Sequence, residues 1–182
     1  IAFTIPLVLG NLFQLTYNAA DSVIVGKFVG ESALAAVGTS TPIMNIAILL
    51  ISGMCMGASV LMSAWYGAGD YETLSRQIST TLLAGCGFSA VFSLLMLFLA
   101  RPVLALIQVP EDVMGEAVSY LRVIFLGLIF TFIYNFLANT MRALGDSKTP
   151  LYFLMISAFF NVAGDLLLVA VFGMGVFGSA VS

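Results

Sequence analysis

The sequence predicts an all-α fold, a polytopic membrane helical bundle with five complete transmembrane helices and the start of a sixth. Three observations predict it. Of 182 residues, 61% are hydrophobic and 8% charged, where a soluble domain carries about 25% charged residues. The apolar runs are continuous and reach the ~20 residues that span hydrocarbon as a helix, without the alternation of a membrane barrel. Charges, Gly and Pro gather in short stretches between the runs. The composition shows no basic patch or other nucleic-acid signature, and the net charge of -3 sits in a few loops.

The first run covers about 2–25. Pro6 lies in its opening turns, where a proline is tolerated at the start and becomes a bend site a little further in. Asn11, Gln14, Tyr17, Asn18 and Asp21 follow within an arc of roughly 120° at 3.6 residues per turn. Lipid does not accept such a stripe, so it must face protein or water. The second run, about 33–66, holds no charge and exceeds one bilayer thickness, with Pro42 and Gly53 as expected bend points. Gly53 and Gly57 form a small-xxx-small pair that favours close packing. Trp65 and Tyr66 end the run where aromatic belts lie.

A turn-rich stretch around Gly67–Leu74 leads to the third run, 77–100, which Arg101-Pro102 is expected to stop. A longer connection through Val109-Pro110-Glu111-Asp112 precedes the fourth run, expected as one helix over 115–143 with Tyr134, Asn135 and Asn139 deep inside. Gly145 to Pro150 is a turn, and the fifth run covers 151–172. Gly173 to Ala180 reads as a loop entering the sixth helix. The chain opens on Ile1 directly into apolar sequence, so a segment of a longer protein is expected. Cys55 and Cys86 lie inside apolar runs and are expected to be small buried hydrophobes.

Asp165 is the informative residue. A carboxylate inside a membrane run costs about 2.5–3.5 kcal/mol or more on insertion scales and normally has a partner and a role. The first and fifth runs cross in the same direction. Asp21 and Asp165 lie at similar distances from the far ends of their runs, which puts them at one depth. Two carboxylates in one low-dielectric site do not both stay charged without a counter-cation. Such a pair takes up a proton, or holds Na+ with help from amide oxygens. Asn161, one turn before Asp165 on the same face, supplies one. The pattern fits a cation-driven transporter without a cofactor. An intramembrane aspartyl protease would need Tyr-Asp on one helix and Gly-x-Gly-Asp on the other, where this chain has Ala20-Asp21 and Val162-Ala-Gly-Asp165. No filter-like loop or charged ring marks a channel. Arg76, Arg142 and Lys148 fall on one side, Lys27 and Arg101 on the other with Arg122 near it, so the first side is expected to be cytoplasmic and the two acids lie toward the outside.

Spread along the chain in order, Asp21-Ser-Val-Ile-Val-Gly26, Ala33-Leu-Ala-Ala-Val-Gly38, Tyr66-Gly-Ala-Gly-Asp-Tyr71, Arg142-Ala-Leu-Gly-Asp-Ser-Lys-Thr-Pro150 and Asn161-x-x-x-Asp165 with Gly173-x-Gly-Val-x-Gly-Ser-Ala180 resemble the multidrug and toxic compound extrusion (MATE) family. The resemblance implies a transporter of twelve helices in two six-helix lobes, of which residues 1–182 would be most of the N-terminal lobe, without the C-terminal lobe. It implies multi-pass insertion in the bacterial inner membrane and export of small organic, often cationic, drugs by alternating access, driven by H+ or Na+ antiport. Asp21, Asn161 and Asp165 match that lobe's cation site, Gln14, Tyr17 and Asn139 its drug pocket or network, and Pro6 a bend site. Flippases of lipid-linked oligosaccharide precursors share the wider superfamily and are the alternative.

Overall fold

The computed structural model describes residues 4–181, except the side chains at positions 4, 6, 7, 11, 17, 18, 20–22, 25, 31 and 32. Helices α1 (Thr4–Phe28), α2 (Glu31–Ala68), α3 (Tyr71–Leu106), α4 (Glu111–Leu126), α5 (Leu128–Ala143) and α6 (Lys148–Asp165) follow in order; a π-helical turn (Leu166–Val171) and α7 (Gly175–Val181) complete the chain. The described residues contain no strand. By length and composition α2, α3 and α6 with its π turn are each able to cross a membrane, and α4 with α5 forms one further span bent by 46°. At 25 residues α1 is the fifth, reaching ~38 Å at 1.5 Å per residue against ~30 Å of hydrocarbon. The expected bundle is present, with α7 opening the next helix.

The helix ends follow local chemistry. Asp70 starts α3 by accepting from the Thr73 N–H at 3.0 Å and from Thr73 Oγ1 at 2.7 Å, the capping arrangement that carboxylates favour at a helix start. These bonds hold the Asp70 carboxyl below its ordinary 3.8. The same cap makes α3 begin six residues before the expected 77. Its other end also differs from expectation: Pro102 lies inside α3, and the helix runs on to Leu106. The stop comes at Gln108, whose φ of 59° reverses the chain. Val109 N then reaches Leu104 O at 3.2 Å and Gln108 N reaches Ala105 O at 3.0 Å, the paired bonds of a left-handed helix end. Pro110 prevents continuation. Gly145, at φ 93°, closes α5 in the same way, with Asp146 N on Met141 O at 2.9 Å.

The expected single helix over 115–143 is broken at Gly127. No proline causes the break. The Phe125 carbonyl accepts instead from Ser93 Oγ, a buried hydroxyl on α3. Beyond it, Phe130 N and Thr131 N both turn to Gly127 O, at 3.0 and 3.1 Å, and begin α5 on a new axis. A side chain inserted into the helical ladder is a recognised origin of kinks. The expected uninterrupted helix over 151–172 is likewise corrected, because α-helical winding ends at Asp165 and a π turn follows.

The main core lies among α2, α3, α4 and α5. Ile51, Met62, Leu104, Leu121, Phe125, Phe132 and Phe136 are all 0–1% exposed. Gly85 on α3 lies directly against the Phe132 ring, leaving no room for a Cβ. A smaller cluster joins Ala33 and Val37 of α2, Tyr120 of α4 and Val176 of α7. Large apolar side chains such as Leu83, Phe98, Phe130 and Phe159 remain exposed around the bundle, as a lipid-facing surface requires. Cys55 is buried and Cys86 partly so, both as free thiols.

Candidate functional site

The seam between α1 and α6 carries most of the predicted site residues. These two helices pack along their length, and two contacts set their direction and register. A methyl group on Gly10 would lie 3.5 Å from Leu154 Cδ2 and 3.8 Å from Leu151 Cδ1. Beyond the other end, one on Gly175 would lie 3.4 Å from Val29 Cγ1. The helices are therefore parallel. Eleven residues on from Gly10 is Asp21, and eleven on from Leu154 is Asp165. Eleven residues make about three full α-helical turns, so each acid shares the face of the residue that begins the count. The Gly10–Leu154 contact thus recurs, three turns later, at the backbone positions of Asp21 and Asp165.

Gly10 also falls within the arc of the polar stripe on α1, so that stripe runs along the side that meets α6. Exposed apolar residues Ile5, Val8, Leu12, Leu15 and Val23 occupy the opposite side. The side chains of Pro6, Tyr17 and Asp21 lie outside those described, and Gln14 is exposed. Pro6 stands two residues into α1, which runs unbroken to Phe28.

On α6 the placement is explicit. Asp165 is fully buried, 0% exposed, and is engaged with a neighbour. It is the last α-helical residue before the π turn, a winding that recurs at functional sites. One turn earlier, Asn161 Oδ1 is buried and accepts no hydrogen bond. Buried polar atoms are normally satisfied, so this oxygen is set to meet a donor or a cation. Among the described residues no three acidic or thiol side chains group as a transition-metal site would. A proton needs only one carboxylate, and Na+ only oxygens.

Asn139 stands apart. It lies on α5, and no contact joins α5 to α1 among the described residues. Its Nδ2 donates to Asn135 O at 2.8 Å. Asn135 in turn donates to Thr131 O at 2.8 Å and accepts from Ser52 Oγ at 3.3 Å across to α2. These are the bonds of asparagines that hold a bundle together.

Two polar residues went unmarked in the sequence. Tyr120 of α4 and Ser179 of α7 are 5% and 9% exposed, and both are engaged in interactions. The segment that carries Ser179 packs on α1, α4 and the π turn. A tyrosine two residues from Arg122 at a run's start reads as interfacial, and a lone serine near Gly178 reads as a loop. Spacing held no signal for either.

The MatE family model matches residues 6–167. The chain is 33% identical, over all of its length and 41% of the relative's, to the "Probable multidrug resistance protein YpnP" of Bacillus subtilis. It is 24% identical to the "Multidrug export protein MepA" of Staphylococcus saprophyticus, over 98% of this chain and 40% of that one. Among solved structures it superposes on the MATE multidrug transporter DinF-BH, with a TM-score of 0.92 and 26% identity, covering 99% of this chain and 40% of the other. The chain thus spans about 40% of the length of the proteins it matches. None of these relatives is described as an enzyme, and all carry the α-helical membrane architecture or the efflux description that the residues predicted. With the match running from the first turns of α1 into the π turn after Asp165, this multi-pass membrane chain belongs to the MatE family of transporters.

Proposed function

We propose that the complete protein, in the bacterial plasma membrane, exports small organic and often cationic compounds by alternating access, driven by entry of H+ or Na+. The observation that carries this reading is Asp165, wholly buried on a membrane helix and level with Asp21 on the helix beside it. An acid held out of water is costly unless it is neutralised or paired. A cation that comes and goes therefore changes the energy of the α1–α6 seam. In this reading the cation binds among Asp21, Asn161 and Asp165, and α1 draws onto α6. Gln14 and Tyr17, on the same stripe of α1, face the drug, and Pro6 permits α1 to bend. Residues 1–182 serve as most of the N-terminal lobe. Drug and cation bias one two-state element in opposite senses, which is what coupling requires.

The test compares wild type, Asp21→Asn and Asp165→Asn in the full-length protein at matched membrane levels. Efflux of a fluorescent cationic dye is followed with and without proton and sodium gradients. Wild type should export dye, and both variants should lose gradient-driven export. The gradient whose collapse stops wild-type efflux names the coupling ion. Variants that export as well as wild type would show that the pair is structural.

A further inference from the structure

The loop between α5 and α6 sits at the mouth of a second feature that the transport reading leaves unused. These two helices touch only lightly. Between them lies an open cavity of about 380 Å³, walled by Tyr134, Ala138 and Met141 on one side and Phe153, Ile156 and Ser157 on the other. Its wall spans 134–141 before the turn and 150–157 after it. The groove therefore reaches ~15 Å from the turn at 1.5 Å per residue. That is half the ~30 Å hydrocarbon layer, the depth of one leaflet.

The mouth is basic. Arg142, in the last turn of α5, has its Nε buried without a hydrogen-bond acceptor. Among the described residues Arg142 forms no ion pair, the one such bridge joining Arg76 and Glu72. Its guanidinium acts electrostatically on Tyr134 in the groove wall. Lys148 is exposed across the turn. The nearby Asp146 carboxylate accepts from the Lys148 and Thr149 N–H groups, each at 3.0 Å, and caps α6. Two cations against one committed carboxylate leave the mouth positive. A greasy slot one leaflet deep with an unfilled guanidinium at its head matches the shape and charge of one molecule already in the bilayer. A cationic drug would be repelled there. The side that carries Arg142 and Lys148 is also the one expected to be cytoplasmic, where anionic lipid concentrates.

We infer that the α5–α6 groove is a binding site for an anionic phospholipid, its phosphate on Arg142 and Lys148 and an acyl chain lying along Met141, Phe153 and Ile156. The site is independent of the α1–α6 seam, and it ties the fourth and fifth spans together through lipid where side chains do not.

The experiment uses the full-length protein purified in a neutral detergent. Phosphatidylglycerol and phosphatidylcholine with identical chains are offered in equal amounts, and bound lipid is read by native mass spectrometry. At about fivefold per basic residue, phosphatidylglycerol should be retained roughly tenfold or more over phosphatidylcholine. Arg142→Gln should lower that preference roughly fivefold. Ser157→Phe, which fills the slot and leaves the charges, should reduce retention of both lipids. Lys148→Gln lies at an exposed position and reports on charge even if Arg142→Gln fails to fold. Equal retention of the two lipids by wild type would overturn the inference. So would an unchanged preference in both charge variants, or competition by soluble glycerophosphoglycerol as effective as by the lipid, which would mark a phosphate site. Displacement of the lipid by a cationic dye would make the groove a drug site and overturn it equally.

Discussion

Between α2 and α5 the contact is made by Ile51, Met62, Phe132 and Phe136, each no more than 1% exposed. Between α1 and α6 it is made differently. Of the α6 side chains only Pro150 and Asp165 are buried, and the described seam rests on Gly10 against Leu151 and Leu154. The first region is close-packed, so small displacements lose many contacts at once and its helices keep one arrangement. The second has few large apolar anchors and a buried acid at its far end. Sliding α1 on α6 forfeits little packing, and the energy of the seam depends on what neutralises the carboxylates. Rigidity and responsiveness are thereby separated within one bundle.

Substitutions can break this contrast on either side. Asp165→Asn should remove gradient-driven efflux altogether while leaving the melting temperature in detergent unchanged or higher, since an amide is cheaper to bury than a charge. A matched loss of folding would mean the seam is scaffold after all. Phe132→Ala should do the reverse. It opens a cavity in the packed half and should cost about 3–5 kcal/mol of stability, read as a large fall in melting temperature, with the drug-coupling ratio of whatever folds unchanged. Ser93→Ala should be milder, about 1–3 kcal/mol for a buried carbonyl left without its donor. Thermal melting would measure it. A loss near zero would mean that the bend at Gly127 does not depend on the hydroxyl.

The smallest effect concerns pH. Asp70 and Asp146 are held below their ordinary 3.8 by the Thr73 and Thr149 bonds, respectively. A depressed carboxyl stabilises the fold above its unfolded value, and the contribution disappears as pH falls through the folded one. Both caps therefore matter only in strong acid. Melting temperature should not respond to either between pH 5 and 8, as Asp70→Asn and Asp146→Asn controls would check. Efflux should respond to pH across that range if the proton is the coupling ion.

Much of this was legible from local pattern. Run lengths gave the spans, the arc from Asn11 to Asp21 marked the side of α1 that meets α6, and the spacing of Asp165 from its run's end put it level with Asp21. What escaped depended on partners distant in sequence. The bend at Gly127 is imposed by Ser93, more than thirty residues earlier, and glycine alone does not announce it. Pro102 looked like a stop, but it falls only four residues before the α3 end, where a missing N–H costs little, and the reversal at Gln108 decides the boundary. Asn139 looked like a pocket residue because it sits deep in a run. Its amide is bonded within its own helix, which composition cannot reveal. Tyr120 and Ser179 were hidden for the same reason, since only the folding of α7 onto α4 buries them.

The π turn after Asp165 bears on how this chain tolerates insertions and deletions. A π-helical turn holds one residue more than the α turn it replaces. Up to Asp165 the helical phase follows the α repeat; after Val171 it is offset by that extra residue. Losing any single residue from 166–171 would let the segment rewind as plain α-helix and turn everything beyond it by about 100°. The side of α7 that now buries Val176 and Ser179 would then face elsewhere. A one-residue gap here is therefore not a neutral change in loop length. It would leave the buried acid where it is and redirect the helix that follows.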